Sequence, residues 1–243
     1  MPVPPRTAES EAGTLALGVH VFPGRRPVLL VHGLGRSALL DWVEPGWPRA
    51  LAVAGRGAVA VDLPGHGSCP AARPGAVSVS AVVAAMVATI DAAGEARADV
   101  IGYSLGARLA WSLAVTGRVR RLVLGGLSPN DPMAGLDLGL LAAVVRGEAE
   151  SSQPKLARLA GVIARAADSD SMLRLVEALS VHLWDPAVDV PTVPTLFVAG
   201  AEDRRLDRLA ATLPEAARVV VPGDHLGALL SPEFRAAALD FIA

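Results

Sequence analysis

Short apolar runs, each soon stopped by a glycine, proline or aspartate, punctuate this chain from end to end. Val28-Leu29-Leu30-Val31 runs into His32-Gly33, Ala58-Val59-Ala60-Val61 into Asp62, and Val100-Ile101 into Gly102. Leu122-Val123-Leu124 ends at Gly125, Thr195-Leu196-Phe197-Val198 at Ala199-Gly200, and Arg218-Val219-Val220-Val221 at Pro222. Runs this short suit strands better than helices, and unbroken apolarity suits strands buried on both faces of a parallel sheet. Residues 14–22 read as an opening strand or hairpin. Between the runs lie helical patterns. Residues 80–93 place Val83, Met86, Val87 and Ile90 at helical spacing behind Ser80, read as the N-cap. Leu105–Val115 and Pro232–Ile242 also read as helices. Strand alternating with helix predicts an α/β fold, a doubly wound and mostly parallel sheet.

One region breaks the rhythm. Residues 129–193 contain no convincing strand. They hold three apolar clusters at helical spacing: Leu136 to Val145, then Leu156, Leu159, Val162 and Ile163, then Leu173, Val176, Leu179 and Leu183. The expected organisation is therefore a core of residues 1–128 and 194–243 carrying a small helical cap at 129–193.

Composition narrows the functional classes. A 243-residue chain with 52% hydrophobic residues fills one core. Basic and acidic residues nearly balance, at 22 against 24, so neither a nucleic-acid footprint nor an acidic tail is present. Cys69 is the only cysteine, which excludes an intrachain disulfide and a four-cysteine zinc site. No long uncharged apolar stretch predicts a membrane span, and residues 1–13 lack the apolar core of a secretory leader. A cytoplasmic enzyme acting on a small-molecule substrate, without metal or cofactor, is the expectation.

The chemistry concentrates where strands end. Gly102-Tyr103-Ser104-Leu105-Gly106 fits G-x-S-x-G at a strand-to-helix junction. A nucleophilic serine must project from a sharp turn at the carboxyl end of the sheet, and flanking glycines remove Cβ atoms that would collide there. The helix that follows aims its first N–H groups at developing negative charge. A serine hydroxyl also needs a base. Of the histidines at 20, 32, 66, 182 and 225, His225 follows the last strand and falls on the same sheet edge as Ser104. His20 lies within an early strand, His32 and His66 lie in glycine-rich turns where imidazoles brace backbone, and His182 lies in the insertion. Asp203, after the strand at 195–198, is the expected carboxylate that orients the base, with Glu202 its near competitor and Asp131 its distant one. Asp224 reads as a turn residue. The oxyanion hole needs two backbone N–H groups, assigned to Leu105 and, in the His32-Gly33-Leu34-Gly35 loop, to Leu34.

Taken in order, HGLG, DLPGHG, GYSLG, GAED and GDH resemble the α/β-hydrolase superfamily across residues 32–225. The resemblance implies nucleophile, acid and base at Ser104, Asp203 and His225, a cap between the sixth and seventh strands, and no cofactor. Serine rather than aspartate at the nucleophile position argues against a haloalkane dehalogenase. Tyr103-Ser104-Leu105-Gly106 followed by Arg108 also resembles the menaquinone-pathway lyases of the superfamily, which expel pyruvate to make succinyl-hydroxycyclohexadiene carboxylate. Ser37 and Trp42 are compatible with that group, and Arg146, Arg158, Arg165 and Arg174 fall in the insertion.

The leading expectation is a serine hydrolase of small or medium carboxylic esters, thioesters or lactones, acting through an acyl-enzyme. Trp42, Tyr103 and Arg108 are its expected substrate contacts. The alternatives are a carbon–carbon lyase using the same triad as base, and a catalytically idle binding module on this fold.

Overall fold

The computed structural model describes residues 15–203, 209 and 211–243. The expectation for residues 1–13 lies outside them. Among the described residues, seven strands form one sheet: β1 (Gly18–Phe22), β2 (Arg25–Val31), β3 (Arg56–Asp62), β4 (Ala98–Tyr103), β5 (Val119–Gly125), β6 (Thr195–Gly200) and β7 (Ala217–Val221). Their order is β1-β3-β2-β4-β5-β6-β7, with β1 antiparallel to β3 and every other pair parallel. The chain thus starts its parallel sheet in the middle. It winds from β2 out to β3, then crosses back to β4 on β2's other side. The crevice at the carboxyl ends of β2 and β4 is the topological switch point, where open α/β sheets bind ligands.

Alternation within the strands explains their unbroken apolarity. Leu29 and Val31, Val59 and Val61, and Leu122 and Leu124 pack on one face of the sheet. Val28 and Leu30, Ala58 and Ala60, and Val123 pack on the other. Both faces are covered, so neither set is polar. Each fully buried aliphatic side chain contributes about 1.5–3 kcal/mol. The first face is covered by α2 (Val79–Ala92) and α3 (Leu105–Ala114), the second by α1 (Trp47–Val53), α7 (His225–Leu230) and α8 (Pro232–Ile242).

Two local expectations are corrected. The cap of α2 is Ser78, whose Oγ accepts from Ala81 N at 3.0 Å, while Ser80 lies inside the helix and bonds Ser78 at 2.9 Å between hydroxyls. In the described sheet the helical insertion falls between the fifth and sixth strands, not the sixth and seventh. It consists of α4 (Leu138–Val145), α5 (Pro154–Ala164) and α6 (Ser169–Val181). Leu183 lies beyond α6 and is exposed. No helix among the described residues is long and apolar enough to cross a membrane.

Candidate active site

Register places the chemistry. Val31 pairs with Gly102, Tyr103 with Gly125, Gly125 with Val198 and Gly200 with Val221. The segments after β2, β4, β6 and β7 therefore leave one edge of the sheet, and they carry Leu34, Ser104, Asp203 and His225.

Ser104 joins β4 to α3 with φ 53° and ψ −112°. A non-glycine residue there costs about 1–3 kcal/mol and persists only where its surroundings enforce it. The enforcement is visible. Ser104 N donates to Gly125 O at 2.8 Å, and Arg108 N donates to Ser104 O at 3.1 Å. The flanking glycines let the turn close: a Cβ on Gly106 would overlap the Val31 carbonyl, and one on Gly102 would overlap the Gly106 carbonyl.

His225 opens α7, capped by Asp224, whose carboxylate accepts from Leu226 N at 3.1 Å and Gly227 N at 2.8 Å. Asp224 is thus a cap, as its position in a turn suggests. His225 Nδ1 lies 3.3 Å from Asp203 Oδ2. A carboxylate only accepts, so Nδ1 is the donor in this contact. Glu202 is exposed. Asp131 is committed elsewhere, accepting from Arg108 Nη1 at 2.9 Å, Met133 N at 2.8 Å and Trp184 N at 2.9 Å. No hydrogen bond joins Ser104 Oγ to His225 among the described residues.

The loop after β2 faces Ser104. A Cβ on Gly33 would lie 3.5 Å from Ser104 Cβ. Gly33 N donates to Asp41 Oδ2 at 2.9 Å and Gly35 N to His66 Nε2 at 2.9 Å. Leu34 N, between them, has no hydrogen-bond partner among the described residues. Leu105 N, at the first position of α3, has no intrahelical acceptor by construction.

His32 and His66 are braces. His32 accepts from Leu63 N at 3.0 Å and donates from Nδ1 to Gly33 O at 2.7 Å. His66 donates from Nδ1 to Pro64 O at 2.9 Å. Burial lowers both, His32 to about 3, so both stay neutral. Asp62 accepts from Ala38 N at 2.7 Å, Ser68 N at 2.8 Å and His20 Nε2 at 2.8 Å. Burial alone would raise its carboxyl, but these donors outweigh burial and hold it below the usual range. Burial pushes the Cys69 thiol up to about 11, so it is not a poised thiolate.

The alpha/beta hydrolase family model matches residues 28–238. The chain belongs to the α/β-hydrolase family. A pimeloyl-[acyl-carrier protein] methyl ester esterase of Neisseria meningitidis is 37% identical over 102 residues, which cover 41% of this chain and 35% of the esterase. The match thus spans about a third of that relative's length. A hydrolase from Pseudomonas aeruginosa superposes with a TM-score of 0.73 at 20% identity, covering 99% of this chain and 98% of that one. An N-acyl homoserine lactonase superposes with a TM-score of 0.72 at 20% identity, covering 99% and 97% of the two chains. At such identity the superpositions speak to the α/β-hydrolase fold alone.

Within this α/β-hydrolase frame, the three expected substrate contacts need correction. Trp42 is fully buried against Trp47, ring centroids 5.2 Å apart, in the cluster on the α1 and α8 face. Tyr103 is buried too. Its ring packs on Phe234, and its hydroxyl donates to His225 O at 2.5 Å. Arg108 is buried and its fork is spent: Nη1 on Asp131, Nη2 on Leu179 O at 3.0 Å and His182 O at 2.6 Å. The sequence reading missed Asp41, fully buried beside the loop that faces Ser104. Its signal was a lone acid between Leu39-Leu40 and Trp42-Val43, in an otherwise apolar run.

Proposed function

We propose that this chain is a serine hydrolase that cleaves a small or medium carboxylic ester, thioester or lactone through an acyl-enzyme on Ser104. The observation that carries the reading is the strained turn at Ser104 on the same sheet edge as the Asp203–His225 pair. Ser104 Oγ attacks the carbonyl carbon and its proton passes to His225 Nε2. Asp203 holds the ring and stabilises the imidazolium. The N–H groups of Leu34 and Leu105 hold the oxyanion. His225 hands the proton to the leaving alcohol, thiol or alkoxide. Water, deprotonated by the same base, then releases the acid and frees Ser104. Tyr103 acts on His225 through backbone, fixing its carbonyl.

Residues 129–193 serve as a cap over this edge. In support, Val162 packs where a Gly35 side chain would stand, and Met172 where a Gly65 side chain would stand. Between these loops and α5–α6 lies a cavity of about 250 Å³, lined by Gly35, Leu40, His66, Val162 and Met172 among others.

Commitment of Arg108 to Asp131 and two carbonyls leaves it no free charge for an anionic substrate, which favours a neutral ester over the lyase reading. The paired acid and base favour catalysis over an idle binding module. The test is fluorophosphonate labelling followed by intact-mass measurement, beside turnover of p-nitrophenyl esters of rising chain length. Labelling and turnover in the wild type, both abolished in Ser104→Ala, are expected. Full turnover in Ser104→Ala would sink the assignment.

A further inference from the structure

Asp41 is a fully buried carboxylate that the mechanism above does not use. It sits in a short π-helical turn, Leu39–Val43, just after the loop that faces Ser104. Burial raises its carboxyl, yet both oxygens are engaged. Oδ2 accepts from Gly33 N at 2.9 Å, and Oδ1 accepts from Arg36 Nε at 2.6 Å. Arg36 in turn donates from Nη2 to Leu40 O at 3.2 Å, which closes the turn on itself. The Cβ direction of Gly33 points at Ser104 Cβ, 3.5 Å away, with Asp41 Oδ2 at 3.7 Å from the same point. The carboxylate and Ser104 therefore both lie beside the same face of Gly33.

Three consecutive N–H groups of this loop have different fates. Gly33 N is held by Asp41 and Gly35 N by His66, and Leu34 N between them is left without a partner among the described residues. A peptide flanked by two fixed donors cannot rotate freely. We infer that Asp41 is a positioning residue of the oxyanion hole: by holding Gly33 N–H it fixes the neighbouring Leu34 N–H on the side of the Ser104 carbonyl adduct. Arg36 has a separate part. An unpaired carboxylate so close to a developing oxyanion would repel it, and the Arg36 guanidinium balances that charge. The inference rests on the serine-hydrolase reading, and it adds a residue to it.

The test uses the full chain and three variants, with kcat and KM on p-nitrophenyl butyrate and the Ki of an alkyl trifluoromethyl ketone. That ketone adds Ser104 Oγ to its carbonyl carbon and leaves an oxyanion in the hole. Asp41→Leu keeps a branched four-atom side chain and removes the acceptor. Its kcat is expected to fall roughly ten- to a hundred-fold with KM within about threefold, and the ketone Ki to rise in parallel, as for a weakened oxyanion donor. Asp41→Asn keeps an acceptor oxygen for Gly33 N–H, and kcat within about threefold of wild type is expected. Two outcomes overturn the inference: a folded Asp41→Leu that keeps kcat and Ki, or Asp41→Asn as impaired as Asp41→Leu, which would make the charge and not the acceptor matter. If Asp41→Leu does not fold, Asp41→Ser takes its place, since its shorter side chain cannot span the same gap; an unchanged kcat there overturns the inference equally. Failure of the hydrolase reading looks different: the wild type itself would take no fluorophosphonate label and turn over no ester.

Discussion

Ser104 shares its positive φ with only Arg26 and Asp189 among the described non-glycine residues. Arg26 stands at an exposed strand end and Asp189 in a surface loop. Ser104 alone is enclosed by the sheet, by α3 and by the loop after β2, so its strain has surroundings that hold it. Beside it, the choice of acid is a residue-scale question with a sharp test. Asp203 reaches His225 Nδ1 and its side chain is 9% exposed, whereas Glu202 is open to solvent. Asp203→Asn should lower kcat by orders of magnitude, because the amide no longer fixes the ring proton on Nδ1 or balances the imidazolium. Glu202→Gln should leave kcat within a few fold. Steady-state kinetics of the two single variants decides it, and a reversed pattern would move the acid to Glu202.

At the scale of elements, the part of the fold that sequence revealed was the part where one rule acts alone. Strand segments buried on both faces must be apolar, so the inner stretches of β2, β3, β5 and β6 stand out in the sequence. The order of Ser104, Asp203 and His225 follows from strand ends that share an edge. Contacts that depend on which way a side chain turns were not legible. Trp42, Tyr103 and Arg108 all sit within a few residues of catalytic motifs, yet each points into packing: two into the α8 face, one into the clamp below the insertion. Asp41 escaped notice because its partners, Gly33 and Arg36, are brought to it by a turn that no periodicity announces. The Arg108 clamp has its own consequence. One guanidinium on α3 ties Asp131, at the start of the insertion, to the carbonyls of Leu179 and His182 at its end. Removing one partner of a buried pair leaves the other charge unpaired, at about 3–5 kcal/mol. Asp131→Ala should therefore lower Tm by roughly 6–20 °C, at about 2–4 °C per kcal/mol for a domain of this size. It should also admit limited proteolysis within 129–193 before the core is cut. An unchanged melting curve and cleavage pattern would show that the insertion is anchored elsewhere.

For the whole molecule, the braces of the loops around Ser104 are acid-sensitive groups. His32 is held neutral by burial, with its value lowered from 6.5 to about 3, and His66 is lowered in the same sense. In the unfolded chain both take up protons near 6.5, while in the folded state they do not. Unfolding therefore binds protons as pH falls, and stability drops from pH 6.5 down to about 3 for His32. Asp62 adds to the same limb lower down: its lowered carboxyl contributes stability above its unfolded value of 3.8 that is lost below it. Asp41 acts in the opposite sense, since a raised carboxyl is relieved when it takes up a proton. Two histidines against one aspartate leave a net loss between neutrality and pH 4.5. Each fully linked proton contributes a slope of about 1.4 kcal/mol per pH unit. Denaturant melts at pH 7 and pH 4.5 should show the wild type clearly weaker at the lower pH. His32→Gln should be weaker than wild type at pH 7, because a well-satisfied ring is lost, but its dependence on pH should be shallower. The gap between the two proteins should accordingly narrow on acidification. A gap that stays constant from pH 7 to 4.5 would mean that His32 is not the group whose protonation unfolds the chain.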